Sequence, residues 1–330
     1  MRPAITGSQP RLIGLHDMNV LSLFDGMSCG RIALDRSGVK VNSYYASELD
    51  KYAIKVAQAN WQNTVQLGDV TKWREWDIEW ASIDLLIGGS PCQGFSFAGR
   101  QLAFDDPRSK LFFVYVDILN HIRSANSGVK FMLENVKMKK EYLAVISEQL
   151  GVEPVLINSA LVSAQNRQRY YWANWDFGQP EDKGLLLSDI IESESDNFVF
   201  MSEKFVNRQN GRKCLVDDFN RKASSFSSME YVKNGMQGDY VLYMTPRGNN
   251  QGGIRAANGK SPSVTSNSWQ HNFHLTNDLK SYRKLTPVEV ERLQTVPDNY
   301  TNHVSNTQRY KMLGNGWTVD VIAHIFEGLK

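Results

Sequence analysis

The chain is poor in cysteine, with Cys29, Cys92 and Cys214 the only three in 330 residues. They are too few and too scattered for a disulfide framework, and no pair has the C-x-x-C spacing of a zinc site, so no metal is expected. Long apolar runs are missing as well; none approaches the ~18 residues of a membrane span. The first residues, MRPAITGSQPRLIGLHD, place Pro and Gly where a signal peptide needs an apolar stretch. A reducing, cytoplasmic setting is the expectation. Charge of one sign is also lacking: Lys plus Arg is 37, Asp plus Glu is 35, and the net is +2. Taken whole, that balance argues against a dedicated nucleic-acid-binding protein. What remains is ordinary globular material, 42% hydrophobic and 22% charged. At about one domain per ~150 residues the length suggests two domains, with a core large enough to need no staples.

Residues 1–17 read as a tail. Asn19 to Phe24 is a short apolar run closing on Asp25-Gly26, the mark of a buried strand. Gly30 to Ser37 has helical character and stops at Gly38. Val41–Ser47 and Ile83–Ile87 read as strands, Lys51–Ala59 and Leu111–Ile122 as helices, and Phe131–Glu134 as a further strand. Strands alternating with helices predict an α/β fold, a doubly wound and mostly parallel sheet with helices on both faces.

The texture changes near residue 200. Residues 201–285 hold ten Asn, ten Ser and seven Gly, so about a third of the window is turn-forming. The same window carries 13 Lys/Arg against 6 Asp/Glu, a net of +7, which leaves −5 for the rest. Lys222–Ser228 and Lys260–Ser266 resemble each other, as two similar β-hairpins would. Helical pattern returns with Thr286-Pro287, a good N-cap and first-turn pair, and Thr318–Gly328 reads as a last helix. A basic, irregular module is thus inserted into an α/β domain.

Several strand ends carry chemistry-bearing residues. The turn Phe24-Asp-Gly-Met-Ser-Cys-Gly30 brings a backbone sharply into a helix, where a nucleotide-like ligand can approach. It is not G-x-G-x-x-G, so a dinucleotide is not favoured. Glu48 ends the second strand, where a ribose hydroxyl is commonly accepted, and Asp69 could accept from an exocyclic amine. Together they favour an adenosine-type cofactor, and S-adenosylmethionine over NAD. Gly88-Gly-Ser-Pro-Cys92-Gln-Gly-Phe-Ser96 puts a thiol on a glycine- and proline-defined loop after a buried strand, an exposed place for a reactive group rather than a packing one. Glu134 at the end of an apolar strand needs a partner if buried. Arg167 and Arg169, two apart, would share one face of a strand. Cys29 and Cys214 read as packing or incidental thiols.

These motifs resemble the DNA cytosine-5 methyltransferase family, within it most like the Dnmt3-type catalytic domain. The resemblance runs from about Met18 to the C-terminus through the Phe24–Gly30 turn, Pro91-Cys92, Glu134-Asn-Val, Gln-x-Arg-x-Arg at 165–169, Arg283–Arg292 and Gly314-Asn-Gly-Trp317. It implies the Rossmann-like fold of S-adenosylmethionine-dependent methyltransferases. Residues 18–175 and 282–330 would form the catalytic, cofactor-binding domain, and 176–281 an irregular target-recognition domain. Cys92 would be the nucleophile on C6 of a flipped cytosine, Glu134 would bind N3 and the amine, Arg169 would hold O2, and Arg167 would support the loop. Phe24, Gly26, Met27, Ser28, Glu48, Leu49, Asp69, Val70, Pro91, Leu111, Asn315 and Trp317 fall at cofactor-contacting positions. Leu49 stands where many members carry an aromatic. Asp105–Ser109 resembles the segment that closes over the base. Gln93, Ser96, Arg208, Arg247, Asn249, Asn250 and Arg255 are candidates for contact with double-stranded DNA. Ser263-Val264 lies where many members have Thr and an aliphatic residue. With 17 residues before the first strand, a stand-alone bacterial or phage enzyme acting at the nucleoid is expected. An RNA methyltransferase of the same fold and a silent DNA-binding paralogue are the alternatives.

Overall fold

A computed structural model describes residues 17–90, 110–192, 201–202, 241–244, 253–254, 259–266, 273–276 and 281–330. The chain begins its sheet with β1 (Met18–Leu23), whose side chains alternate between two cores. Val20 joins one, while Leu21 and Leu23 join the other, as period two requires. It continues through α1 (Cys29–Ser37), β2 (Val41–Ser47), α2 (Lys51–Asn60), β3 (Val65–Gln66), β4 (Leu85–Gly89), α3 (Lys110–Ala125), β5 (Lys130–Val136), α4 (Lys140–Leu150), β6 (Val155–Asn158), β7 (Gln165–Asn166) and β8 (Gln168–Ala173).

Seven of these strands form one sheet in the order β3-β2-β1-β4-β5-β8-β6. The first five are mutually parallel, and β8 runs antiparallel to both β5 and β6. The chain works outward from β1 to β3, then returns to the other side of β1 with β4. That reversal opens a crevice at the carboxyl ends of β1 and β4, where ligands bind in open α/β sheets. The doubly wound expectation therefore holds. Helix α1 ends where Gly38 takes φ 75 and its N–H caps Leu34 and Asp35, a left-handed cap that glycine adopts without strain.

The remaining elements are α5 (Leu187–Ile190), β9 (Met201–Ser202), β10 (Val241–Met244), β11 (Gly253–Ile254), β12 (Ser261–Pro262), β13 (Phe273–Thr276), β14 (Ser281–Tyr282), α6 (Pro287–Leu293), α7 (Asn306–Asn315) and α8 (Val319–Phe326). Strands β11, β10 and β13 make a small antiparallel sheet, and β9 pairs with β14. Thr286 and Glu289 form a capping box with Pro287 in the first turn of α6, as the sequence predicts.

Two expectations are corrected. Lys222–Ser228 lies outside the described residues, but its supposed partner is no local hairpin: β12 pairs in parallel with β7. The strand bearing the two arginines is also broken at Arg167, between β7 and β8. The two side chains consequently part company.

Residues 178–192 and 259–266 pack back on the α/β body. Leu187 N–H donates to the Gly259 carbonyl at 2.6 Å. The Lys260 ammonium donates to the carbonyls of Ala160, Ser163 and Leu185 at 2.7, 3.2 and 2.6 Å. Three carbonyl dipoles compensate an ammonium that burial pushes toward neutrality.

Candidate active site

The turn after β1 holds three left-handed residues in alternation: Phe24 at φ 58, Gly26 at φ 61 and Ser28 at φ 65. Two of them carry side chains and are strained there. A Cβ on Gly26 would meet nothing within 4 Å, so the turn faces open space. Its shape is held from both sides. Gly26 N–H donates to Glu48 Oε2 at 2.7 Å, and Glu48 Oε1 accepts from the amides of Leu49 and Asp50 at 2.7 and 2.8 Å. From beneath, Asp25 accepts from Tyr44 Oη at 2.7 Å and Ser28 Oγ at 2.5 Å. Burial pushes the Asp25 carboxyl up to about 6, against the pull of these donors.

The crevice fits an adenosine-type ligand. Three amides occupy Glu48, leaving its carboxylate about one of roughly four acceptor sites for a hydroxyl. Beside it Leu49 is 69% exposed. Gly68, at φ 74, again opens onto free space. Asp69 Oδ1 accepts from Thr71 N–H and Oγ1 at 2.9 and 2.8 Å, which holds the carboxyl below its usual range. Its Oδ2 has no partner among the described residues. Met27, Ser28 and Val70 are buried, Met27 and Val70 with side chains in the two cores. They support the turns from below. Leu111 is half-buried in the first turn of α3, and Asn315 is exposed at the end of α7.

Beyond β4 lies a second cluster. Register pairs Gly89 with Glu134 and Val136 with Arg169. Glu134 is buried, with Arg169 Nε 3.1 Å from Oε1 and Trp317 Nε1 3.1 Å from Oε2. A Cβ on Gly89 would fall 2.9 Å from both Glu134 Oε2 and Trp317 Nε1, so this contact requires glycine there. Asn135, also buried, donates from Nδ2 to Ser90 Oγ at 3.1 Å.

Arg167 turns away from Glu134. Its guanidinium, 4% exposed, donates to the carbonyls of Val264 at 2.7 Å and Gly316 at 3.0 Å. A buried amide pair lies alongside. Gln165 binds the Leu293 carbonyl and the Val264 N–H, and Gln294 binds the Leu313 carbonyl and the Thr318 hydroxyl. Thr318 in turn accepts from Ser159 Oγ at 2.9 Å. Backbone at Thr265 and Ser266 passes so close to Gly314 that a Cβ there would come within 2.2 Å.

Cys29 is buried, and burial pushes its thiol up to about 12, which fits a packing residue. Pro91, Cys92, Gln93, Ser96, residues 105–109, Cys214, Arg208, Arg247, Asn249, Asn250 and Arg255 lie outside the described residues. Sequence reasoning took Gly89 and Asn135 only as members of the Gly88–Ser96 and Glu134–Val136 motifs and did not reach Gln294. Glu-Asn-Val at 134–136 was the only signal for Asn135; nothing local marks Gln294.

Among the described residues no group of three or more His, Cys, Asp or Glu could hold a metal ion. No helix there is long and apolar enough to cross a membrane. The sheet order, the switch-point crevice and the acid-bearing turns define a Rossmann-like methyltransferase that uses S-adenosylmethionine. The model of the family described as C-5 cytosine-specific DNA methylase matches residues 18–330. The chain belongs to that family and is a DNA cytosine-5 methyltransferase. It is 32% identical to the type II methyltransferase M1.ScrFI of Lactococcus lactis subsp. cremoris, over 93% of this chain and 77% of that protein. It is 30% identical to the type II methyltransferase M.NlaX of Neisseria lactamica, over 94% and 96%. In fold it is similar to the methyltransferase EhMeth of Entamoeba histolytica, with a TM-score of 0.61 at 18% identity over 95% of this chain and 98% of that one.

Proposed function

We propose that Cys92, Glu134 and Arg169 carry the transfer, on a cytosine flipped from duplex DNA. A stacked base cannot expose both C6 and its pairing edge, so extrusion is required. The Cys92 thiolate adds to C6, which makes C5 a carbon nucleophile. Glu134 faces N3 and the exocyclic amine and stabilises a proton at N3 as charge moves onto the ring. Arg169 aligns Glu134 and reaches the base O2. S-adenosylmethionine, when bound, supplies the electrophilic methyl that C5 takes up. Loss of the C5 proton then expels Cys92 and restores the ring.

The observation that carries this reading is the Glu134 carboxylate, buried at the carboxyl end of β5 with a cation on one oxygen and an indole N–H on the other. Beside it, Asn135 grips Ser90, the residue leading into Pro91-Cys92. Arg167 acts through backbone, bracing Val264 and Gly316. Phe24, Gly26, Glu48, Leu49, Asp69, Leu111, Asn315 and Trp317 line the cofactor crevice, and Pro91 adjoins it.

Residues 18–175 and 282–330 form the catalytic domain in this reading, and 176–281 the target-recognition domain. The packing of 178–192 and 259–266 on the body makes those two segments its stems. The window's +7 charge suits phosphates, and its Asn, Gln and Arg suit major-groove edges. Arg208, Arg247, Asn249, Asn250 and Arg255 would read DNA from this module, Gln93 and Ser96 from the catalytic loop.

Bisulfite sequencing of DNA from an expressing, methylation-free host tests the assignment. Protected cytosines in one sequence context are expected, and none with Cys92→Ala. Transfer to RNA but not duplex DNA, or full protection by Cys92→Ala, would overturn it.

A further inference from the structure

We infer that Trp317 is a positioning residue for Glu134, an inference that rests on the proposed role of Glu134 in base binding. A carboxylate offers about four acceptor sites, two on each oxygen. Arg169 Nε stands 3.1 Å from Oε1 as an ion pair, and Trp317 Nε1 donates a hydrogen bond to Oε2. That leaves at least one acceptor site on each oxygen. That is the pattern that suits a bidentate partner presenting N3–H and an amine N–H side by side. With a donor on only one oxygen, the carboxylate could turn about its last bond and lose that alignment.

The indole is itself held rigidly. Gly316, before it, gives its carbonyl to both Arg167 at 3.0 Å and Gln294 at 3.3 Å. Thr318, after it, is fixed by Gln294 and Ser159. On the other side the ring lies against the start of α1, where a Cβ on Gly30 would sit 3.4 Å from Trp317 Cζ3. Gly89 supplies the only backbone at that point of β4 that leaves room for the Nε1–Oε2 contact. Both arginines of the 165–169 motif thus converge on Glu134. Arg169 acts directly, and Arg167 acts through Gly316 and Trp317.

The test is a double-mutant cycle on single-turnover methyl transfer, with Trp317→Phe, Glu134→Gln and both, at saturating cofactor. Phe keeps most of the ring and removes the N–H. Isothermal titration with S-adenosylhomocysteine follows cofactor affinity separately. The expected result is a roughly tenfold slower transfer in Trp317→Phe, the loss of one hydrogen bond to a charged group. In the Glu134→Gln background the same change should cost less than about threefold, because the two residues act as one. A tenfold cost in both backgrounds would overturn the inference, as would a loss confined to S-adenosylhomocysteine affinity. If Glu134→Gln itself transfers at the full rate, the base-binding role of Glu134 fails first, and Trp317 falls with it. Should Trp317→Phe not fold, Gly89→Ala wedges the same pair apart with both side chains intact. It should show the same dependence on Glu134.

Discussion

Asn135 Nδ2 donates to Ser90 Oγ at 3.1 Å across adjacent parallel strands, while Asn135 Oδ1 accepts from Val136 N–H at 2.8 Å. The side chain is buried and ties the strand position next to Glu134 to Ser90, the residue before the proposed nucleophile loop. Asn135→Ala should slow adduct formation at Cys92 by about 10- to 100-fold, with a stability cost of roughly 1–3 kcal/mol. A duplex containing 5-fluorocytosine, with S-adenosylmethionine supplied, measures this: after methyl transfer C5 carries fluorine and no proton to lose, so elimination stops and the Cys92 adduct accumulates and is counted on a denaturing gel. Adduct at the wild-type rate would show that Asn135 does not set the loop.

Gly314 packs against the backbone of the 261–266 segment, a stem of the proposed recognition module. Its Cβ would overlap backbone at Thr265 and Ser266, which cannot move aside as a side-chain tip can. Gly314→Ala should displace the stem at 261–266 and weaken duplex binding, measured by fluorescence anisotropy, at least tenfold. Cofactor affinity by titration calorimetry should change less than twofold. Equal losses in both would point to a general collapse.

Asp25 makes a prediction about pH. Its carboxyl is raised to about 6 in the folded chain, whereas an unfolded Asp titrates near ~3.9. The folded state therefore holds the extra proton between those values, and stability from this group is present at low pH and lost as pH rises through 4 to 6. The loss is on the order of 3 kcal/mol at pH 7. Asp25→Asn should remove it, so the variant gains on wild type from pH 4 to pH 7 in urea unfolding. A difference that stays constant with pH would rule this out.

Cys29 and Cys92 should behave oppositely. With its thiol buried and pushed up to about 12, Cys29 should resist iodoacetamide at pH 8 in the folded protein. Cys29→Ala should retain transfer within about twofold at a cost of roughly 1 kcal/mol. Peptide mapping after labelling checks the first statement. Rapid alkylation at Cys29 would refute it.

The catalytic half of the fold was legible wherever local pattern and tertiary demand agree. The run into Gly26, the stop at Gly38 and the Thr286–Glu289 cap all follow from short-range rules. Tyr142, Ile146 and Leu150 space the buried face of α4 at i, i+4 and i+8, a signal of the same short range. Helix α7 had none to offer. Its apolar pair Met312-Leu313 is adjacent, and its anchor is the buried Arg309 guanidinium on Glu291, 2.9 Å away. Glu134 was legible as an acid in need of a partner, but Trp317, 183 positions on, is a fact of topology. Period two would put Arg167 and Arg169 on one face of a strand; the break between β7 and β8 separates them.

The stems meet where Leu187 N–H donates to the Gly259 carbonyl, so everything between them leaves and returns through one hydrogen-bonded gate. For a loop whose ends are already joined, doubling its length costs only about 0.6 kcal/mol. Length alone is therefore a weak constraint on that stretch, and its fixed points are the strand pairings β9 to β14 and β10 to β13. Insertions that leave Met201–Ser202, Val241–Met244 and Gly253–Ile254 in place would keep those pairings, so the stretch can vary in length while the seven-stranded sheet stays as it is.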